Sequence, residues 1–220
     1  MEEILHKLHV SPYPPNEEIA NVITHGLGVI LAGVGLYFLL IEANLTDDPW
    51  KLWSSVTFGL CMITCYLFST LYHASTNPEF KHQMRIADHI GIYLLIAGSY
   101  TPFILVNLRG WIGWTYFVII WGCAVVGIIL RIVNMRVPNY VSVAPYLIMG
   151  WLAIIGIKPL FDSVGWDGLG LVLLGGIFYS IGVVFYSWER VPFNHAIWHL
   201  FVLAGSISHY FAILFEVIPH

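Results

Sequence analysis

The stretch VPFNHAIWHL, residues 191–200, sets His195 and His199 four apart at the start of an apolar run whose next formally charged side chain is Glu216. On an α-helix four residues advance about 6 Å and turn about 400°, so the two imidazoles stand on nearly one face. Such a pair can give a metal two nitrogen ligands at about 2.0–2.1 Å; two histidines hydrogen-bonded into a helix bundle are the competing reading. A second polar set lies earlier. STLYH, residues 69–73, puts Ser69 and His73 on one helical face by the same arithmetic, and RIADHIG, residues 85–91, brings Asp88 near the start of the next apolar block. Ionisable groups inside lipid-spanning helices cost roughly 2.5–3.5 kcal/mol on insertion scales, which makes each of these a candidate functional group.

Composition says what kind of element must hold them. Of 220 residues only 10% are charged and 58% are hydrophobic, and the apolar residues come in long charge-free blocks. Seven blocks, near 22–41, 52–73, 86–108, 111–131, 137–157, 168–188 and 191–215, are long enough for a hydrocarbon core about 30 Å thick, which takes about 20 helical residues. Backbone groups in lipid must be satisfied within the segment, and no block alternates like a barrel strand. The expected fold is an all-α integral membrane protein, a seven-transmembrane helix bundle forming a single domain over 1–220. The first 21 residues hold Glu2, Glu3, Glu17 and Glu18 with Pro12, Pro14 and Pro15 and lack the apolar stretch of a cleavable signal. They are expected as an N-terminal cytoplasmic segment in which Asn16 caps a short interfacial helix.

Lys and Arg set the orientation. Lys7, Lys81, Arg85, Arg131, Arg136 and Arg190 fall on one side, against Lys51, Arg109 and Lys158 on the other, which puts the N-terminus in the cytoplasm and the C-terminus outside a cell membrane crossed several times. No basic run suggests nucleic acid. Cys61, Cys65 and Cys123 all lie inside expected helices, where a disulfide framework is not expected. Gly26, Gly28, Gly33 and Gly35 suit close helix packing. Pro102 and Pro145 are expected to bend their helices, and Pro192 to sit in the first turn of the seventh.

In this topology the second helix runs inward, ASTNPEFKHQMR turns, and the third helix returns, so that His73 and Asp88 flank one short cytoplasmic loop at nearly equal depth. The seventh helix starts on the same side, with His195 and His199 about 6 and 12 Å along it. Three separated pieces of sequence thus deliver three imidazoles and a carboxylate to the inner third of the membrane, which favours a metal site. Three neutral imidazoles, a divalent cation, a hydroxide and one aspartate sum to zero charge, as suits a low-dielectric surround. Three histidines with water as fourth ligand is the pattern of a catalytic zinc site, although imidazoles also accept copper, iron or nickel.

Asp88 then has two possible roles, general base towards the bound water or acceptor for a ligand imidazole. Ser69, one turn deeper than His73, is a hydrogen-bond partner for that arrangement or for a substrate carbonyl, or a small packing residue. His25 is a secondary candidate to line the site. His209 lies about 15 Å further outward than His199 and cannot ligate the same ion. His89 points about 100° away from Asp88, and His6, His9, His82 and His220 fall in expected solvent segments. Cys61 and Cys65 are too deep for the site and are expected to pack as small apolar groups.

The set S-x3-H (Ser69, His73), Asp88 and H-x3-H (His195, His199) on seven helices resembles the hemolysin III family, the bacterial branch related to the progestin and adipoQ receptors. The stretches EEIANVITHGLG and ADHIGIYLLIAGSYTP are similar to that family too. The wider superfamily includes alkaline ceramidases. The resemblance implies Zn2+ held by His73, His195 and His199 with Asp88 and Ser69 around its water, an N-in, C-out topology, and a bacterial inner or plasma membrane. The long cytoplasmic N-terminal extension of the animal receptors has no counterpart, so their hormone recognition is not carried over. The expected function is hydrolysis of a lipid-like amide or ester at the inner leaflet, with membrane lipid as partner and Asp88 and Ser69 as catalytic groups. The alternatives are a sensor or regulator of membrane state whose zinc only staples helices two, three and seven, and a hemolysin-like pore. Ionisable groups confined to one depth argue against the pore, and the absence of a lysine from the seventh block argues against a retinal protein.

Overall fold

The computed structural model describes residues 13–133 and 139–219, and every regular element among them is helical. In chain order α1 is Pro15–Asn44, α2 Pro49–Ala74, α3 Pro78–Pro102, α4 Trp111–Val133, α5 Asn139–Gly150, α6 Ile157–Ser187 and α7 Asn194–Glu216. A π-helical turn, Phe103–Asn107, follows Pro102, and a 3-10 stretch, Trp151–Gly156, follows the helix that contains Pro145. Glu2, Glu3, His6, Lys7, His9, Pro12, Arg136, residue 137 and His220 lie outside the described residues.

Three helices begin in the same way, with proline at the first helical position, where its fixed φ suits the helix and its missing N–H is no loss. Asp48 accepts from Trp50 N–H and Asn77 from Phe80 N–H, each at 3.0 Å, which satisfies donors at the starts of α2 and α3. These starts correct two expectations. Pro14, not Asn16, holds the cap position of α1, with no side-chain cap bond, and among the described residues Asn16 starts no separate interfacial helix because α1 runs unbroken from Pro15. The turn between α2 and α3 is only residues 75–77, since Asn77 and Pro78 start α3 well before residue 86. Pro192 likewise falls short of α7, whose cap residue Phe193 takes a left-handed φ of 57°.

Six stretches among the described residues are long and apolar enough to cross a membrane, one of them the 45-residue run Val143–Ser187. The seven blocks expected from sequence thus appear as six by length and composition. That run is not a straight rod. Trp151 Nε1–H donates to Ser180 Oγ at 3.0 Å, although 29 helical residues would separate them by about 43 Å. The chain therefore folds back between them, and Gly165, at φ 64° and ψ −166°, breaks α6 there, in a conformation that a residue lacking Cβ adopts without penalty.

Close approach of α2 and α3 sets the depth of the polar residues. A Cβ on Gly91 would lie 2.8 Å from Cys65 Cα, and one on Gly98 would lie 2.6 Å from Cys61 Cβ, so the two backbones touch where small residues face each other. Cys61 and Cys65 are buried free thiols with this packing role. This antiparallel register places Asp88 opposite Ser69, one turn deeper than His73, rather than level with His73. Gly28 lets α1 settle against Tyr66 of α2 and Leu203 of α7, and Gly35 faces Tyr210, while Gly33 faces open space. The outer faces of α1 and α4 expose Ile23, Leu27, Ile30, Val118, Val125 and Ile129, a surface suited to hydrocarbon rather than water.

Candidate metal centre

His73 ends α2, and His195 and His199 occupy the first two turns of α7. All three are buried, and one ring nitrogen from each lies within 4.8 Å of the others. Because α7 starts at Asn194, its two histidines sit closer to the helix start than the expected 6 and 12 Å. Glu17 fixes that start: its carboxylate accepts from Phe193 N–H at 3.0 Å and so supplies from α1 the cap that α7 lacks in its own sequence.

The Nδ1 atom of every one of these imidazoles meets an oxygen. His73 Nδ1 is 2.6 Å from Glu18 Oε2, His195 Nδ1 is 3.1 Å from the Tyr13 hydroxyl, and His199 Nδ1 is 3.0 Å from Thr24 Oγ1. The Thr24 proton is committed to the carbonyls of Ala20 and Asn21, at 2.9 and 3.0 Å, so Thr24 Oγ1 accepts from His199 Nδ1–H, as the Glu18 carboxylate does from His73 Nδ1–H. A neutral imidazole with its proton on Nδ1 carries its lone pair on Nε2. Nε2 of His73 and of His195 is buried with no hydrogen-bond partner. Unmet buried acceptors cost about 1–3 kcal/mol each, and a cation placed among converging lone pairs removes that cost. The residues present fit a metal ion.

Glu18 is itself held. Its other oxygen accepts from Lys81 Nζ at 2.7 Å, and Lys81 also donates to Tyr72 O at 3.1 Å and lies 4.8 Å over the Tyr72 ring. The lysine cancels the carboxylate's charge, so the orienting group adds no net charge to the site. Asn21 Nδ2 lies 3.3 Å from the same His73 Nδ1. Tyr13, Glu18, Asn21 and Thr24 were not among the expected site residues. The readable signal was Glu18, Asn21 and Thr24 recurring every three positions along the first helix, with His25 four beyond Asn21, a polar stripe on one face of an apolar segment.

The remaining expected residues gather around the trio with different contacts. His25 is buried and stacks on His199, ring centroids 3.5 Å apart and planes 13° apart, and both its nitrogens lack partners; it lines the site without joining the ligand group. Ser69 is fully buried beside Asp88, its hydroxyl short of hydrogen-bond geometry. The Asp88 carboxylate also feels His73, Arg85 and Arg131. His89 Nδ1–H donates to Arg85 O at 2.7 Å, with Asp88 Oδ2 at 3.9 Å; although expected to turn away, it faces the same cavity as Asp88. That cavity, ≈ 150 Å³, is lined by Tyr13, Asp88, His195 and His199, by apolar side chains such as Leu95 and Val202, and by Tyr179 and His209, the last about 15 Å along α7 from His199.

Residues 13–210 match the family model described as Haemolysin-III related. Hemolysin-3 of Bacillus cereus is 49% identical over 203 residues, covering 92% of this chain and 93% of that protein. The Hemolysin-3 homolog of Bacillus subtilis (strain 168) is 48% identical over 199 residues, with 90% and 93% covered. The Homo sapiens monocyte to macrophage differentiation factor is 30% identical over 203 residues, with 90% and 83% covered.

Proposed function

This chain belongs to the haemolysin-III-related family of membrane proteins, and from that premise and the geometry of its three histidines we propose that it is a zinc-dependent hydrolase of lipid-like amides or esters. The observation that carries the reading is the trio itself: three buried imidazoles with Nδ1 held from outside and ring nitrogens within 4.8 Å of one another, at one end of an apolar cavity. Three uncharged nitrogen ligands with a fourth position open is the pattern of catalytic rather than structural zinc. On this reading the fold-back at Gly165 divides the run Val143–Ser187 into two crossings, which would give seven. Lys81, Arg85, Arg131 and Arg190 would then share the cytoplasmic side with the N-terminus and the trio would lie at the inner leaflet of a single bundle domain.

His73, His195 and His199 would hold the ion, and when bound zinc supplies a Lewis acid for an acyl carbonyl and lowers the pKa of water. Asp88 takes the proton of the attacking water on its carboxylate and delivers it to the leaving amine or alcohol. Overall, water's oxygen forms the new bond to the acyl carbon, the carbon–nitrogen or carbon–oxygen bond breaks, and the proton ends on the leaving group. Ser69, beside Asp88, would donate its hydroxyl proton to that carboxylate once the two close to hydrogen-bonding distance, and so aim it at the water. Glu18, Tyr13 and Thr24 keep the three Nδ1–H groups turned away, so that no ligand ring rotates out of place. The apolar walls take the acyl chain and exclude bulk water.

The test uses purified protein with its zinc content measured, offered lipid amides and esters beside an Asp88→Ala variant. Cleavage by the wild type and its loss in the variant at unchanged zinc content is the expected result. Stoichiometric zinc with no cleavage of any such lipid, and a cellular phenotype that Asp88→Ala leaves intact, would instead make the metal a staple between α2 and α7.

A further inference from the structure

The cavity has a second polar end. His209, on α7, lies ten residues beyond His199, about 15 Å further along the helix axis. Its Nε2–H donates to Val172 O of α6 at 3.1 Å, which fixes the tautomer and leaves the lone pair on Nδ1. That atom is buried and has no partner. The two helices are shaped to admit the ring. A Cβ on Gly175 would collide with the His209 imidazole, and a Cβ on Gly205 would lie 2.6 Å from the Tyr179 ring. Tyr179 stands edge-on to His209 with centroids 5.5 Å apart.

The neighbouring hydroxyls do not meet the need of Nδ1. Tyr66 donates to Ser206 Oγ at 2.6 Å, and Tyr179 pairs with the same oxygen at 2.9 Å. His209 and Tyr179 both line the cavity, among Phe103, Leu169, Val172 and Leu173. A saturated chain entering from the trio would leave the nitrogen unmet in an apolar surround, at the cost that any buried orphan acceptor carries. A chain bearing a hydroxyl at that depth would satisfy it.

We propose that this end is a specificity subsite, in which His209 Nδ1 accepts a hydrogen bond from a hydroxyl on the ligand's acyl chain, so that the cavity selects hydroxylated chains. The inference rests on the hydrolase reading only for the direction of the chain, head at the trio and tail towards His209. Selectivity follows the usual asymmetry of polar pockets: a site built to pair one hydroxyl discriminates against ligands that leave it unpaired.

Binding to purified zinc-loaded protein tests this, by displacement of a fluorescent saturated fatty acid with octadecanoate, 12-hydroxyoctadecanoate, 12-methoxyoctadecanoate and 2-hydroxyoctadecanoate. The 12-hydroxy chain is expected to bind about five- to tenfold more tightly than the other three, the effect of one neutral hydrogen bond. His209→Phe, with zinc content and thermal unfolding checked, is expected to remove the preference and keep the octadecanoate affinity. The wild-type comparison of hydroxy with methoxy probes holds even if that variant fails to fold, because the ether keeps the oxygen and cannot donate. Equal affinities on wild type, a methoxy chain as good as the hydroxy chain, a preference that survives His209→Phe, or no binding of any chain overturns the proposal. No readout is turnover, so a protein that shows the preference and cleaves nothing would sink the hydrolase reading and leave this subsite standing.

Discussion

The two ends of the cavity use the same side chain with opposite nitrogens free. At the trio, Nδ1 of each histidine is held by an oxygen from Tyr13, Glu18 or Thr24, and the Nε2 atoms of His73 and His195 are left unmet. At the far end a backbone carbonyl holds His209 Nε2, and Nδ1 is left. The outer partner, not the histidine, decides which nitrogen is offered. What the free nitrogen faces then decides the chemistry. Ring nitrogens from three histidines within 4.8 Å of one another make a place for a cation, while one alone among hydrocarbon makes an acceptor for a single donor.

The largest expected effect separates the ends outright. His73→Ala, His195→Ala and His199→Ala should each purify nearly free of zinc by metal analysis, whereas His209→Ala should keep its full complement; a zinc-poor His209 variant would erase the distinction between cation site and acceptor. Next in size is Asp88→Ala. Removing a positioned proton carrier should slow single-turnover hydrolysis about 10²–10⁴-fold with zinc content unchanged, and a parallel loss of zinc would move Asp88 from proton transfer to metal support.

The all-helical membrane class and the gathering of His73, His195 and His199 were legible because both rest on spacing. Charge-free blocks imply membrane helices, and S-x3-H and H-x3-H each put two polar groups on one face. The depth argument came close for a less secure reason. It placed the whole of ASTNPEFKHQMR in the connecting loop, where Asn77 and Pro78 in fact start α3 at once, and contact of Gly91 with Cys65 sets Asp88 level with Ser69 instead. The bend in Val143–Ser187 hides for a related reason. Lys158, Asp162 and Asp167 look like a polar loop, yet Lys158 and Asp162 pair at 2.7 Å across one helical turn, which supports helix up to the break at Gly165. Glu17 and Glu18 fall in the expected N-terminal segment, and nothing local to the first helix says that one would cap α7 and the other would orient His73. Those partners are more than fifty residues away in the chain. His209 was weighed only as a ligand, and a lone imidazole reveals its free nitrogen only when its other partner is known.

Smaller effects sharpen the comparison by acting on the holders rather than the histidines. Glu18→Gln keeps the shape and removes the carboxylate that His73 Nδ1–H meets at 2.6 Å. Loss of such a partner typically weakens metal affinity about 10–100-fold, measurable by competition with a chelating dye. Lys81 would also lose its counter-charge, so the Glu18→Gln, Lys81→Met double variant separates orientation from charge: if it regains wild-type affinity, the carboxylate acts through charge balance and not through His73.

The smallest expected effect is that of Tyr13→Phe, and it is the most discriminating. The ring remains, 4.9 Å from His195 and 5.7 Å from His73, and only the oxygen facing His195 Nδ1 is lost. With a cation on Nε2 the Tyr13 oxygen is the acceptor for His195 Nδ1–H; without it that tautomer loses about 0.5–1.5 kcal/mol of support, and because that tautomer alone offers Nε2 to a cation, zinc affinity should fall by up to about tenfold. Tyr179→Phe removes an equivalent hydroxyl beside His209 and should leave zinc affinity unchanged, because no ligand imidazole leans on it. Should Tyr13→Phe bind zinc as the wild type does, His195 would need no outer partner to present Nε2, and the two ends of the cavity would differ only in how many histidines each collects.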